Sequence, residues 1–241
     1  MATSSAYALE PMGEGALLLR FGERIDAALN ARVHAAAHAL RDAALPGVEE
    51  LVPAYASLLL RLDAATAADA VRMRDVERRV RAVLDAFGKG AEASVRAETV
   101  RTVEIPVCYG GDFGPDLDAV AAHAGLDADA VIARHAGGDY RVAMLGFAPG
   151  FPYLLGLDAA LQAPRLATPR TRVPAGSVAI GGAQTGIYPR ELPGGWRIVG
   201  RTPLALFDLA RDPACLLAPG DRVRFRAIDA AEFARLAGGA A

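Results

Sequence analysis

The chain has 241 residues, 53% of them hydrophobic and 22% charged, with a formal net charge of −2 and a pI near 6.1. That balance excludes a disordered chain, and the near-neutral charge gives no general electrostatic attraction to nucleic acid or anionic membrane. Two cysteines, Cys108 and Cys215, stand far apart without CxxC spacing, which argues against a structural disulfide. The basic residues are all arginine except Lys89, which lies in a Gly88–Gly90 loop and is poorly placed for lysine chemistry. The start MATSSAYALEPMGEG has no basic segment leading into an apolar run, so a secretory signal is not expected; apolar stretches such as Ala54–Leu60 are too short to span a bilayer. The expected location is cytoplasmic.

Residues 1–100 read as alternating strands and helices. Ala16–Phe21 (ALLLRF) predicts a strand ending at Gly22. Ile25, Leu29, Val33, Ala36, Ala37 and Leu40 recur at helical spacing, with Asp26 in the first turn favouring the helix dipole. After Pro46-Gly47, Val48–Val52 and Tyr55–Leu62 predict a strand pair bent at Pro53. Ala67–Phe87 predicts an amphipathic helix with Val71, Val76, Val80, Val83, Leu84 and Phe87 inward and Gly88 as its C-cap. With a further strand near Val95–Val103, this order suits an α+β sandwich of ferredoxin-like kind. Nothing in this half suggests chemistry.

From residue 101 the pattern changes. Thr102–Val107 predicts a strand, Asp116–Ala124 and Ala128–His135 short helices, and Tyr140–Gly146 another strand. Between Gly146 and Pro203 stand ten Gly and eight Pro, a density that helices do not tolerate but short strands with tight turns do. Val178–Ile180, Trp196–Val199, Leu204–Phe207 and Arg222–Arg226 are the predicted strands of a small β-barrel or folded sheet, and Ala230–Leu236 a terminal helix.

Two segments could carry chemistry. In GFAPGFPYLLGL (Gly146–Leu157), Pro149 and Pro152 fix φ while Gly146 and Gly150 permit positive φ, holding a loop with exposed amides. Phe147, Phe151 and Tyr153 either pack beneath it or line a pocket; a plain tight turn on the barrel fits as well. In Leu166–Pro203 and its flank, six arginines lie between Arg165 and Arg201 with one acid, Glu191. Guanidinium groups bind carboxylates and phosphates through two parallel hydrogen bonds, so this excess suggests a pocket for a small anion. Strand alternation sends Arg170 and Arg172 to one face. Gly181, Gly182 and Gly186 leave amides unshielded, and Gln184, Thr185 and Tyr188 add neutral hydrogen-bonding groups. The bland alternative is a set of arginines solvated on strand faces. His135 is the only histidine near this region and a weak catalytic candidate, since a lone histidine is more often a helix cap or a satisfied core residue. Metal-ligand spacing, a G-x-S-x-G elbow and a P-loop are not seen.

Together GFAPGFPYL (Gly146–Leu154), ATPRTRVPAGSV (Ala167–Val178), IGGAQTGIYP (Ile180–Pro189), PGGWRIVGRTP (Pro193–Pro203) and LAPGDRVRF (Leu217–Phe225) resemble the KipI/allophanate-hydrolase-subunit-1 family. IPVCYG (Ile105–Gly110) and the His135 and Tyr140 pair add to the likeness. The resemblance, strongest to the 5-oxoprolinase members of that family, implies a ferredoxin-like domain over 1–100 and a cyclophilin-like β-barrel over 101–241. It implies work with two partners, subunits A and C of 5-oxoprolinase, the latter of the KipA or allophanate-hydrolase-subunit-2 type. Together they open 5-oxo-L-proline to L-glutamate using ATP, with Mg²⁺, held by the complex, the chain being inactive alone. On this reading Pro149, Gly150, Phe151, Arg170, Arg172, Gly181, Gly182, Gln184, Thr185, Tyr188, Trp196 and Arg201 are the residues expected to bind a small anionic substrate or nucleotide phosphate. The family also admits a regulator that inhibits a sensor histidine kinase, and a member of allophanate-hydrolase type. The cyclophilin-like barrel does not by itself imply prolyl isomerase activity.

Overall fold

The structure, a computed structural model, describes residues 7–90 and 100–238. The chain divides into two compact units, one ending at Thr99 and the other beginning at Val100. In the first unit the elements are β1 (Ala8–Pro11), β2 (Ala16–Arg20), α1 (Ala27–Asp42), β3 (Val48–Pro53), β4 (Ser57–Leu62), α2 (Ala64–Ala67) and α3 (Ala70–Gly90). The strands form one antiparallel sheet in the order β1-β2-β4-β3. One face, carrying Leu17, Leu19, Leu58, Leu60 and Leu62, packs on Val33, Ala37 and Leu40 of α1 and Val76, Val80 and Leu84 of α3.

Asp26 stands outside α1 as its N-cap, its side chain accepting from the Leu29 amide, and Ile25 before it is exposed. The predicted second helix is two. Asp63 caps α2 by accepting from the Thr66 amide, and Asp69 accepts from the Val71 and Arg72 amides, restarting the helix at Ala70. Val71, expected inward, is therefore in the first turn and exposed, and the helix runs past Gly88 to Gly90. The strand expected near Val95–Val103 falls largely outside the described residues. In the sheet, the edge beside β2 that a ferredoxin-like fold gives to a strand after the second helix is held by β1, from before the first.

The second unit comprises β5 (Thr102–Tyr109), α4 (Leu117–Ala124), α5 (Ala128–Ala136), β6 (Tyr140–Leu145), β7 (Pro152–Leu155), β8 (Arg170–Val173), β9 (Ser177–Gly181), β10 (Gln184–Ile187), β11 (Leu192–Gly194), β12 (Arg197–Arg201), β13 (Arg222–Ile228) and α6 (Ala230–Gly238). Seven strands close into a barrel, in the order β10-β7-β6-β13-β5-β12-β9; only β13 and β5 pair in parallel. The remaining two, β8 and β11, form a separate antiparallel ribbon. Side-chain alternation splits β9 cleanly: Val178 and Ile180 enter the main core, whereas Ala179 joins a second cluster with Val173, Tyr188, Trp196 and Ile198. The expected strand Leu204–Phe207 does not form beyond one bridge from Phe207 to Cys215. There the Arg211 guanidinium donates to the carbonyls of Ala205, Leu206, Pro213 and Ala214, satisfying backbone acceptors that a ladder would otherwise take. Among the described residues, no helix is long and apolar enough to cross a membrane.

Candidate functional site

A cavity of about 260 Å³ lies against the second cluster of the barrel unit. Its walls are mostly aromatic: Phe147, Phe151, Tyr153, Tyr188 and Trp196. Phe151 is the hub, meeting Tyr153, Tyr188 and Trp196 at centroid distances of 4.9, 5.2 and 5.7 Å in tilted or edge-on geometry. Phe147 meets Phe151 edge-on at 5.5 Å, yet is 60% exposed. Its φ is +68° and the Ala148 amide donates to the Gly146 carbonyl at 2.7 Å, a three-residue turn in the strained positive-φ form. That strain holds an aromatic ring at the cavity edge.

Trp196 can lie against the sheet because the strands beneath it carry glycine. A Cβ on Gly181 would sit 2.6 Å from the indole, and one on Gly186 3.1 Å from both Trp196 and Phe151. The remaining wall is Pro169, Pro193, Gly194 and Gly195, from the ends of the β8 and β11 ribbon and the loops beside them. One cation faces in: the Arg165 guanidinium lies 5.7 Å from the Trp196 ring centroid. Burial pushes the phenols of Tyr153 and Tyr188 above their ordinary value; Arg165 pulls Tyr153 the other way, and a backbone hydrogen bond from Trp196, with the charges of Arg165 and Arg170, does so at Tyr188, so both stay protonated at neutral pH. The lining holds no carboxylate, imidazole, thiol or aliphatic hydroxyl. Its lining brings together apolar ring faces, two phenols and one guanidinium.

Of the residues expected from sequence, Phe151, Tyr188 and Trp196 line this cavity and Gly181 backs it. Pro149 and Gly150 line a different hollow of about 420 Å³, with Leu145–Ala148 and Cys215. Gly182 is exposed at φ +65° in the tight turn between β9 and β10, and Gln184 is buried just after that turn. The arginines do not converge. Arg170 donates to both oxygens of Asp116 at 2.8 Å, Arg172 is exposed and paired with Glu191 at 2.7 Å, and Arg201 lies 5.7 Å from the Phe113 ring. Arg170 and Arg172 are taken up by carboxylates and Arg201 lies against a ring with its Nε buried and unbonded, so the local positive excess does not become one anion pocket. The residues that local reading left out are Arg165, counted in the cluster but not singled out, and Asp116, which no local motif marks.

His135 and Thr185 sit inside the barrel. The Thr185 hydroxyl donates to the Ala179 carbonyl at 3.0 Å, so His135 Nε2, 3.1 Å from Thr185 Oγ1, is the protonated nitrogen. Nδ1 then accepts from the Tyr109 hydroxyl at 2.8 Å. Full burial lowers the imidazole pKa to about 3. This is a satisfied core histidine, without an opening to any of the cavities described. Among the described residues, no group of three or more His, Cys, Asp or Glu could hold a metal ion.

The carboxyltransferase domain, subdomain C and D, family model matches residues 7–217. The chain is 42% identical over 238 residues to the 5-oxoprolinase B subunit of Bacillus subtilis (strain 168), covering 94% of this chain and 95% of that protein. It is 45% identical over 216 residues to the 5-oxoprolinase B subunit of Escherichia coli O157:H7, covering 89% and 93%. Among solved structures, TTHA0988 superposes with a TM-score of 0.72 at 40% identity over 89% of this chain; the match takes in only 40% of that longer protein. The uncharacterized protein PH0987 from Pyrococcus horikoshii matches over its full length and 94% of this chain, at 43% identity and a TM-score of 0.55. The Kluyveromyces lactis urea amidolyase, at 20% identity and a TM-score of 0.70, shares the fold. With the mixed α+β unit, the closed seven-stranded barrel and these matches in hand, the chain belongs to the carboxyltransferase subdomain C and D family, in the branch of the 5-oxoprolinase B subunits.

Proposed function

We propose that this chain seats 5-oxo-L-proline in the aromatic cavity of its barrel unit while the ATP-dependent complex, formed with subunits A and C, activates the lactam. The observation that carries this reading is the lone Arg165 in a lining otherwise made of aromatic, proline and glycine residues. A five-membered lactam offers two flat faces for the rings, a carboxylate for one guanidinium, and a carbonyl oxygen for a phenol of Tyr153 or Tyr188. A triphosphate fits the same wall badly, because its several charges need several cations or amides. The nucleotide and its Mg²⁺ are therefore assigned to the partner side. What ATP supplies is activation: its terminal phosphoryl group passes to the lactam oxygen with ADP departing, water adds to the activated carbon, the C–N bond breaks to free the amine, and the acyl phosphate left behind is hydrolysed to the carboxylate and phosphate. The chain's share is binding and orientation, which fits walls that hold no base or nucleophile.

The test is kinetic, in the complex reconstituted with both partners. Arg165→Gln should raise KM for 5-oxo-L-proline about tenfold or more while KM for ATP stays within about twofold, the signature of a lost substrate-carboxylate contact. A rise in KM for ATP instead would put the nucleotide in this cavity, and no change in either would remove the cavity from the reaction. The chain assayed by itself should show no turnover.

A further inference from the structure

Asp116 is buried, 54 positions upstream of Arg170, and joins three pieces of backbone, the start of α4, Ile198 of β12 and Arg170 of β8. Its amide donates to the Ile198 carbonyl at 2.9 Å, and its Oδ2 accepts from the Ile198 amide at 2.7 Å. Ile198 is two residues beyond Trp196, the floor of the aromatic cavity. The same carboxylate receives the Arg170 guanidinium through two parallel hydrogen bonds, with only about a third of the arginine side chain exposed. Arg170 opens β8, directly after Pro169 and in register with Gly194 of β11, and both of those residues form the cavity's opposite wall. The Asp116 side chain is thus the tie between floor and roof. Neither Asp116 nor Arg170 lines the cavity, although the Arg170 charge is felt by the phenol of Tyr188, which does.

We propose that Asp116, acting through Arg170, is a positioning residue that sets the width of the aromatic slot, and so its selectivity for a flat five-membered ring. This rests on the reading of the cavity as the 5-oxoproline seat. Without the tie, the short β8 and β11 ribbon keeps its few ladder bonds, the Leu166 amide donating to the Gly195 carbonyl, and the packing of Val173, Leu192 and Gly194 on the aromatic cluster, but β8 loses its charged link to Ile198 and its spacing from Trp196 loosens.

Trp196 is the chain's single tryptophan, so its fluorescence reports the slot directly. The measurement is acrylamide quenching of the full-length chain without ligand, at a temperature where far-ultraviolet circular dichroism shows every variant folded. Asp116→Asn and Arg170→Gln should each raise the quenching constant about twofold or more, and the double variant no further than either alone, since one tie is cut in all three. Arg170→Lys, which keeps the charge but not the paired donors, should fall between and serves if either first variant does not fold. Asp139→Asn, which breaks the Arg222–Asp139 pair elsewhere on the barrel, should leave quenching unchanged. In the reconstituted complex, Asp116→Asn should raise KM for 5-oxo-L-proline about tenfold with kcat within about twofold. Quenching equal to wild type in folded Asp116→Asn and Arg170→Lys overturns the tie. Raised quenching with unchanged KM keeps the tie and overturns the cavity as the substrate seat.

Discussion

His135 shows how burial decides the role of a residue whose chemistry alone suggests catalysis. Its ring is enclosed by Tyr140 and Phe225, at centroid distances of 5.4 and 4.6 Å, with hydroxyls of Tyr109 and Thr185 on its nitrogens. Desolvation lowers its folded pKa to about 3, below the ordinary 6.5. The folded state therefore prefers the neutral ring, and that preference is fully present above pH 6.5. As pH falls below 6.5 the unfolded chain takes up a proton that the folded chain refuses, so stability drops by about 1.4 kcal/mol per pH unit toward pH 3. The urea midpoint of the barrel unit, followed by Trp196 fluorescence, should fall between pH 7.5 and 5.5 in the wild type. In His135→Gln the midpoint is lower throughout but its change across that interval is smaller. Equal pH dependence in both proteins would mean that another group carries the proton uptake.

At the level of elements, Trp196 precedes β12 and lies over Gly181 of β9, and the two strands are hydrogen-bonded neighbours. A methyl group at 181 would reach 2.6 Å from the indole, and neither strand can move apart without breaking the ladder. Gly181→Ala should cost about 1–3 kcal/mol, measured as a lowered urea midpoint, and should shift Trp196 emission in the folded state. A wild-type spectrum and midpoint would show that the indole does not lie on this glycine. The helices α1, α4 and α5 were legible because apolar spacing is a local signal, and they start within a few residues of where the sequence places them. The short strands β7, β10 and β11 were not, since PYLL, QTGI and LPG read as turn or polar segments until barrel closure and the ribbon supply their partners. The site was half legible for the same reason. Aromatic residues of the Gly146–Leu157 loop announced themselves, whereas the pairing of Arg170 with Asp116 depends on a contact spanning 54 positions.

Among the described residues each unit has a core of its own. Leu17, Leu58, Val33 and Val80 belong to the first unit, while the barrel interior and the aromatic cluster are drawn entirely from residues of the second. Closure of the barrel pairs each of its seven strands on both sides, which removes the open edges that make isolated sheets associate. A unit of this size with its own core meets the requirements for independent folding. Residues 100–241 expressed alone should therefore give a cooperative urea transition by Trp196 fluorescence, with a midpoint close to that of the same transition in the full chain. Because every residue lining the aromatic cavity lies between 147 and 196, the response of Trp196 to added 5-oxo-L-proline should also be the same in fragment and full chain. A fragment that aggregates, or whose indole emits as if fully in water, would show that the barrel depends on the first unit to fold. A folded fragment that lacks a ligand response seen in the full chain would place part of the substrate seat in residues 1–99.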